Sequence, residues 1–257
     1  MTKLAANLTM MFNEFEFLDR FAGAADAGFE AVEFLFPYDY APYQIARRLY
    51  DYRLTQALFN APPGNWDRGD RGLAALTDRE TEFRESIECV LPYADATGVK
   101  RVHVMAGIAD PNNATSKKTF CDNIAWAAAR FEEQNLTLML EPINRRDMPG
   151  YFLNNFDFAG KIISEIDTAN VRLQFDVYHR QILHGDVTVA LEQFIELIDH
   201  VQIASVPGRH EPDEGELNYR NVFTTLTRLG YDGWIGCEYR PRRGTLAGLT
   251  WRESLLD

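Results

Sequence analysis

Residues 137–141 read Thr-Leu-Met-Leu-Glu and residues 171–176 read Val-Arg-Leu-Gln-Phe-Asp, two short runs, apolar at every second position, that end on an acid. Period-two patterning marks a β-strand, whose successive side chains point to opposite faces. In the first run Leu138 and Leu140 make one face and leave Thr137, Met139 and Glu141 on the other. In the second, Val171, Leu173 and Phe175 leave Asp176 on the other. Outward from these two, the same reading gives strand candidates at 4–8, 31–35, 54–59, 101–105, 200–203 and 234–238, so that with 137–141 and 171–176 there are eight, each followed by a stretch of helical period. Strict β/α alternation implies parallel strands with right-handed crossovers. Eight units in a chain of 257 residues fit a closed (β/α)8 TIM barrel better than an open doubly wound sheet.

The joints agree with this. AGAADAGFE, YADATGVK and LTRLGYDG close helical patterns on Gly28, Gly98 and Gly230 just before a strand, as a left-handed helix C-cap requires. No GxGxxG or GxxxxGK[ST] loop follows a strand, which removes the common nucleotide folds. One connection is long: residues 60–77, NAPPGNWDRGDRGLAALT, an irregular loop at the barrel end where loops tend to be functional. No linker interrupts the chain, so residues 1–257 are expected to form one domain.

Composition narrows the partners. The chain is 46% hydrophobic and 25% charged, with a formal net charge of −12, a field that repels phosphate backbones and anionic headgroups. Nucleic acid and membrane are therefore not expected partners, and a homo-oligomer is left open. The opening MTKLAANLTMMFNEFEF lacks the basic-then-apolar layout of a signal peptide, so the cytoplasm is the expected location. Cys89, Cys121 and Cys237 are far apart and outside any CxxC pattern, which argues against a disulfide framework or a cysteine zinc site and reads as three buried small hydrophobes.

In a barrel the face away from the helices is the interior. Parity places Glu141 and Asp176 inward, and likewise Gln202 between Val201 and Ile203, and Glu238 between Cys237 and Tyr239. Four consecutive strands thus bring Glu141, Asp176, Gln202 and Glu238 to the carboxyl-terminal rim, where barrel enzymes keep their catalytic groups. Three converging carboxylates raise one another's pKa unless a cation neutralises them. An all-oxygen donor set suits Mg²⁺ or Mn²⁺ better than Zn²⁺. His103, inward on the fourth strand, and His179, in DVYH beside Asp176, are candidate substrate contacts. Arg209, in SVPGRHEPDEGELN, is a candidate anchor for a substrate carboxylate, with Arg145 and Arg146 weaker candidates. Glu33 is inward by parity, with its role open between structure and catalysis.

No lysine stands at a strand end and no GxSxG elbow occurs, so neither an imine aldolase nor a triad hydrolase is expected. Two glutamates flanking a metal-chelated hydroxycarbonyl suit a proton shuttle through an enediolate, with one carboxylate taking the proton and the other returning it to the neighbouring carbon. The reaction class is isomerisation or epimerisation.

The stretches AANLTMMF, VEFLFPYDY, LFNAPPGNWDRGDRG, LMLEPIN, LQFDVYH, HVQIA with RHEPDEGELNY, and WIGCEYRP together resemble the hydroxypyruvate isomerase family of xylose-isomerase-like barrels, over nearly the whole chain. The resemblance implies a small carboxylated hydroxy-oxo substrate: hydroxypyruvate going to tartronate semialdehyde first, 2-oxotetronate going to 3-oxotetronate as the alternative, a ketose 3-epimerase more remotely. It also implies Glu141 and Glu238 as the proton-transfer pair, the four rim residues as metal ligands, and His179 and Arg209 at substrate-contacting positions. Two rivals come from other classes. A zinc nuclease of related fold is opposed by five histidines and the acidic net charge; a non-catalytic sugar-acid-binding protein would not need both glutamates.

Overall fold

The expected alternation is realised in full. The computed structural model describes residues 2–256; Met1 and Asp257, the ends of the expected domain 1–257, lie outside the described residues. The strands are β1 (Lys3–Asn7), β2 (Ala31–Phe34), β3 (Thr55–Asn60), β4 (Arg101–His103), β5 (Thr137–Leu140), β6 (Val171–Asp176), β7 (Ile198–Ile203) and β8 (Trp234–Cys237). They form one closed barrel in sequence order, all parallel, with β1 pairing to β8 through Leu4 and Ile235. The helices that cover it are α1 (Arg20–Asp26), α2 (Pro42–Tyr52), α3 (Glu80–Thr97), α4 (Ala114–Glu132), α5 (Phe156–Ile166), α6 (Val177–His184), α7 (Val187–Phe194) and α8 (Tyr219–Arg228), followed by the short α9 (Thr245–Gly248) and α10 (Trp251–Leu256). The sixth crossover is two short helices rather than one, because Gly185 and a left-handed Asp186 break the helical run.

Helices α4, α5, α6 and α8 start on a capping Asn or Asp. Asn113, Asn155 and Asn218 each accept a backbone N–H of the first turn, satisfying one of the orphan donors there. The predicted glycine C-termini hold, with φ of +79° at Gly28, +72° at Gly98 and +77° at Gly230. Strand ends differ from expectation by one to two residues: β5 stops at Leu140 and β8 at Cys237, so Glu141 and Glu238 stand one residue past the ladder. A following proline, here Pro142, disfavours helical backbone at Glu141, and the Glu141 side chain lines the cavity, continuing the inward parity of its strand.

Parity is borne out. Leu138, Leu140, Val171, Leu173, Phe175, Val201, Ile203, Ile235, Cys237 and Tyr239 all belong to the apolar layer between barrel and helices. At the amino-terminal end of the interior the small side chains of Ala5, Ala31 and Ala57 cluster, with Trp234 packed against them. Toward the other end the interior is polar, with Asn7, Glu33, His103, Gln174, His200 and Gln202 all buried. The cysteine expectation needs correction: Cys237 is buried, but Cys121 is only partly so and Cys89 is exposed, since Cys89 falls on the solvent side of α3, where a small thiol meets no packing demand. Among the described residues no helix is long and apolar enough to cross a membrane.

The polar interior is built around Glu33. Its Oε1 accepts from Asn7 Nδ2 at 2.9 Å and Gln202 Nε2 at 2.9 Å, and its Oε2 lies 2.6 Å from His200 Nε2. Room for the carboxylate exists because residue 236 has no side chain: a Cβ there would lie 2.3 Å from Glu33 Oε2. Gly236→Ala must push a buried carboxylate off its partners, so stability should fall by about 1–3 kcal/mol or more, roughly 2–12 °C in Tm for a chain of this size. A melting curve that superimposes on wild type would contradict this packing.

Candidate active site

β6 ends on Asp176, which is also the N-cap of α6: its Oδ1 accepts the Tyr178 N–H at 2.7 Å. That leaves Oδ2 directed toward the barrel mouth, 3.4 Å from Arg209 Nη2 and 3.5 Å from His179 Nε2. Arg209 Nη2 also donates to Glu238 Oε1 at 3.1 Å, while its Nη1 lies 3.6 Å from Asp147. Two loops fix Arg209 in place. Its own backbone is left-handed (φ 54°), its N–H donates to Ser205 O at 2.8 Å, and its carbonyl accepts the Arg240 N–H at 2.8 Å. Glu141 is buried with Oε1 unpartnered, 3.9 Å from His179 Nε2, and its Oε2 lies 3.4 Å from His103 Nδ1.

Glu141, Glu238, Gln202, His103, His179 and Arg209 line one cavity of about 480 Å³, so the structure brings the candidate catalytic and substrate-contacting residues together. Asp176 sits just behind its wall, against Arg209 and His179. Arg145 is not among the lining residues and donates to Asn154 instead, whereas Arg146 lines the cavity mouth. The four candidate ligands do not present themselves alike. Gln202 Nε2 must face the Glu33 carboxylate, so Oε1 faces Gln174, whose Nε2 donates to it at 2.7 Å.

The electrostatics follow from burial. Desolvation pushes the Glu141 carboxyl well above its usual range, with the charges of Glu238 and Asp176 adding to it. Burial also moves Glu238 up to about 8 and Asp176 up to about 6, in each case against the pull of Arg209. Three carboxylates face one guanidinium, a net charge of −2 when all are ionised, and a divalent cation is the species that balances it. The unpartnered Glu141 oxygen, within 4.8 Å of ligand atoms on Asp176 and His179, fits such an ion.

His179 is part of that cluster as a donor. Asn144 Oδ1 accepts the N–H groups of Arg146 and Asp147, both at 2.9 Å, which fixes the amide so that Nδ2 faces His179 Nδ1 at 2.7 Å. Nδ1 is therefore an acceptor, and in the neutral ring the proton sits on Nε2, toward Asp176 and Glu141. The ring is neutral because burial, reinforced by Arg209, holds its pKa well below the usual value. Burial likewise takes His103 down to about 3, and neither of its ring nitrogens has a protein partner. Sequence reading missed Asn144 and Gln174. Asn144 left a signal, since an Asn two and three residues before the N–H groups it captures is an Asx-turn. Gln174 left none beyond inward parity.

Residues 21–255 match the family model described as xylose isomerase-like TIM barrel. A 2-oxo-tetronate isomerase of Cupriavidus necator is 55% identical over 100% of this chain and 99% of its own length. A hydroxypyruvate isomerase of Escherichia coli is 39% identical over 98% of this chain and 99% of its own. A crystal structure from Brucella melitensis, described as an AP endonuclease of family 2, superposes with a TM-score of 0.97 at 47% identity, covering 99% of each chain.

The Asn144 contact predicts a tautomer switch. Asn144→Asp places an acceptor against Nδ1 and should move the His179 proton from Nε2 to Nδ1, visible in ring ¹⁵N shifts, with activity falling roughly 10- to 100-fold, as for other partners that orient a site imidazole. An unchanged Nε2–H tautomer in the variant would refute the assignment.

Proposed function

The chain belongs to the xylose isomerase-like TIM barrel family and is an isomerase, and we propose that its substrate is a 2-oxo-tetronate, converted into the 3-oxo isomer. The observation that carries the chemistry is the pair of buried glutamates, Glu141 after β5 and Glu238 after β8, facing one cavity. The choice of acid follows the relatives: 55% identity to a 2-oxo-tetronate isomerase against 39% to a hydroxypyruvate isomerase reverses the order suggested by sequence resemblance, and hydroxypyruvate becomes the second substrate.

In this reading one glutamate takes the proton from C3 of the bound acid, the hydroxyl proton shifts toward the former oxo oxygen as the enediolate collapses, and the other glutamate delivers a proton to C2. Arg209 holds Glu238 and Asp176 in place and offsets their charge. His179, through Nε2–H, and His103 offer hydrogen bonds to the substrate's oxygens. Glu141, Asp176 and Glu238, with the Gln202 carbonyl beside them, would hold Mg²⁺ or Mn²⁺. Bound there, the ion would neutralise the cluster and polarise the oxo group. A DNA-cleaving activity would require a phosphate-binding face, and the net charge of −12 works against one.

Side-by-side kinetics test the substrate: kcat/KM should be higher for 2-oxo-tetronate than for hydroxypyruvate, and the reverse ranking would return the assignment to the three-carbon acid. Chelation should abolish turnover and Mg²⁺ or Mn²⁺ restore it. Glu141→Gln and Glu238→Gln keep the shape and an oxygen ligand but lose the basic group, so kcat should fall about 10²- to 10⁴-fold with the fold intact. Near wild-type kcat in either would remove that residue from proton transfer.

A further inference from the structure

The glutamate pair accounts for the reacting carbons and leaves unassigned the substrate's own carboxylate, the group that separates a keto acid from a neutral sugar. That group cannot rest against Glu141, Asp176 and Glu238, which already carry excess negative charge. Arginines 71, 146, 209 and 240 line the cavity. Arg209, expected from sequence to be the anchor, has both terminal nitrogens committed to Asp147, Asp176 and Glu238. Arg146 and Arg240 are exposed. Arg71 is half-buried, and no carboxylate among the described residues lies within ion-pair distance of it. Its neighbour Asp70 is taken by Arg79 through two bonds of 2.7 and 2.8 Å.

Arg71 is also held in position. Its guanidinium lies 3.8 Å from the Trp66 ring centre, and Nη1 donates to the carbonyls of Trp66 (3.0 Å) and Asp70 (2.6 Å). Trp66 in turn packs on Phe36 at 5.5 Å. Gly72, next in the chain, bridges to Ala106 beyond β4, so close that a Cβ would sit 2.2 Å from Met105 O; Ala75 N–H donates to Ala106 O at 2.8 Å. The 60–77 loop is thus a stitched wall carrying a stacked, pre-positioned fork. It follows β3, which stands opposite β7 in the closed order of eight strands, away from the acid-bearing ends of β5, β6 and β8.

We propose that Arg71 binds the carboxylate of the substrate and is the residue by which this site selects a 2-oxo acid over a neutral hydroxyketone. The assignment rests on the keto-acid reading above and adds where the acid group goes. A planar carboxylate matches the guanidinium fork, and holding it there directs the reacting carbons toward Glu141 and Glu238.

The test compares wild type, Arg71→Lys and Arg71→Met on 2-oxo-tetronate and hydroxypyruvate, by turnover and, independently of turnover, by calorimetric binding, with dihydroxyacetone as the neutral probe. For Arg71→Met the KM and Kd for both acids should rise roughly 10- to 100-fold, with kcat little changed, Arg71→Lys intermediate, and weak dihydroxyacetone binding unaffected. Added guanidinium ion should recover part of the lost affinity, which a merely structural defect would not allow. Acid binding by Arg71→Met equal to wild type overturns the anchor and leaves the isomerase reading untouched. Arg71-dependent acid binding by a wild-type enzyme that turns over neither acid overturns the activity and keeps the anchor. Failure of wild type to bind either acid overturns both.

Discussion

Three carboxylates buried around one guanidinium set the terms for the rest of this barrel. Glu141, Asp176 and Glu238 come from separate strands, and among the described residues the only cation in direct contact with the latter two is Arg209. Removing such charges from water is costly unless each finds a partner, and the surroundings supply partners to Asp176 and Glu238. The α6 N-terminus takes one oxygen of Asp176. A left-handed residue and a tie between the β7 and β8 loops aim Arg209. Glu141, whose Oε1 is buried without a hydrogen-bond partner, lines the cavity, where the proposed chemistry requires an open ligand position and a base.

The interior beneath that rim is polar for the same reason. A barrel core can be filled with branched apolar side chains, and here it is not: Glu33, His200, Asn7, Gln202 and Gln174 form a connected network. The network fixes the Gln202 amide and carries order from the middle of the barrel to its mouth. Gly236 is the sequence feature that allows it, since any larger residue would occupy the space of the Glu33 carboxylate. Glu33, whose role parity left undecided, is thereby a positioning residue for Gln202 and has no lining contact with the cavity.

Much of this was legible in the sequence because a barrel strand obeys a period of two. Leucines 138 and 140 forced Glu141 inward, and Val171, Leu173 and Phe175 did the same for Asp176, without any knowledge of packing. What parity cannot give is the direction of a polar group within the interior. Nothing in HVQIA says that Gln202 offers its nitrogen to Glu33, because that is decided by a residue 169 positions away. The reach of Arg209 was legible, its partners were not: a guanidinium amid acids in a loop reads as available for a ligand, and only the fold brings three enzyme carboxylates to it. The 60–77 loop was recognisable as irregular and long, while Arg71 within it stayed hidden, since its placement depends on a stitch between Gly72 and Ala106 that no local pattern announces.

The central claim is that the acid cluster is a divalent-cation site made of oxygen ligands, with His179 turned to it as a hydrogen-bond donor. A crystal structure of the protein soaked in Mn²⁺, with anomalous difference density collected at the manganese edge, tests it most directly. The account predicts a single strong peak at coordinating distance from oxygens of Glu141, Asp176 and Glu238, with His179 Nε2 outside that distance. A peak bonded to His179 Nε2, or a Mn²⁺-bound, active crystal with no peak among these three carboxylates, would contradict it.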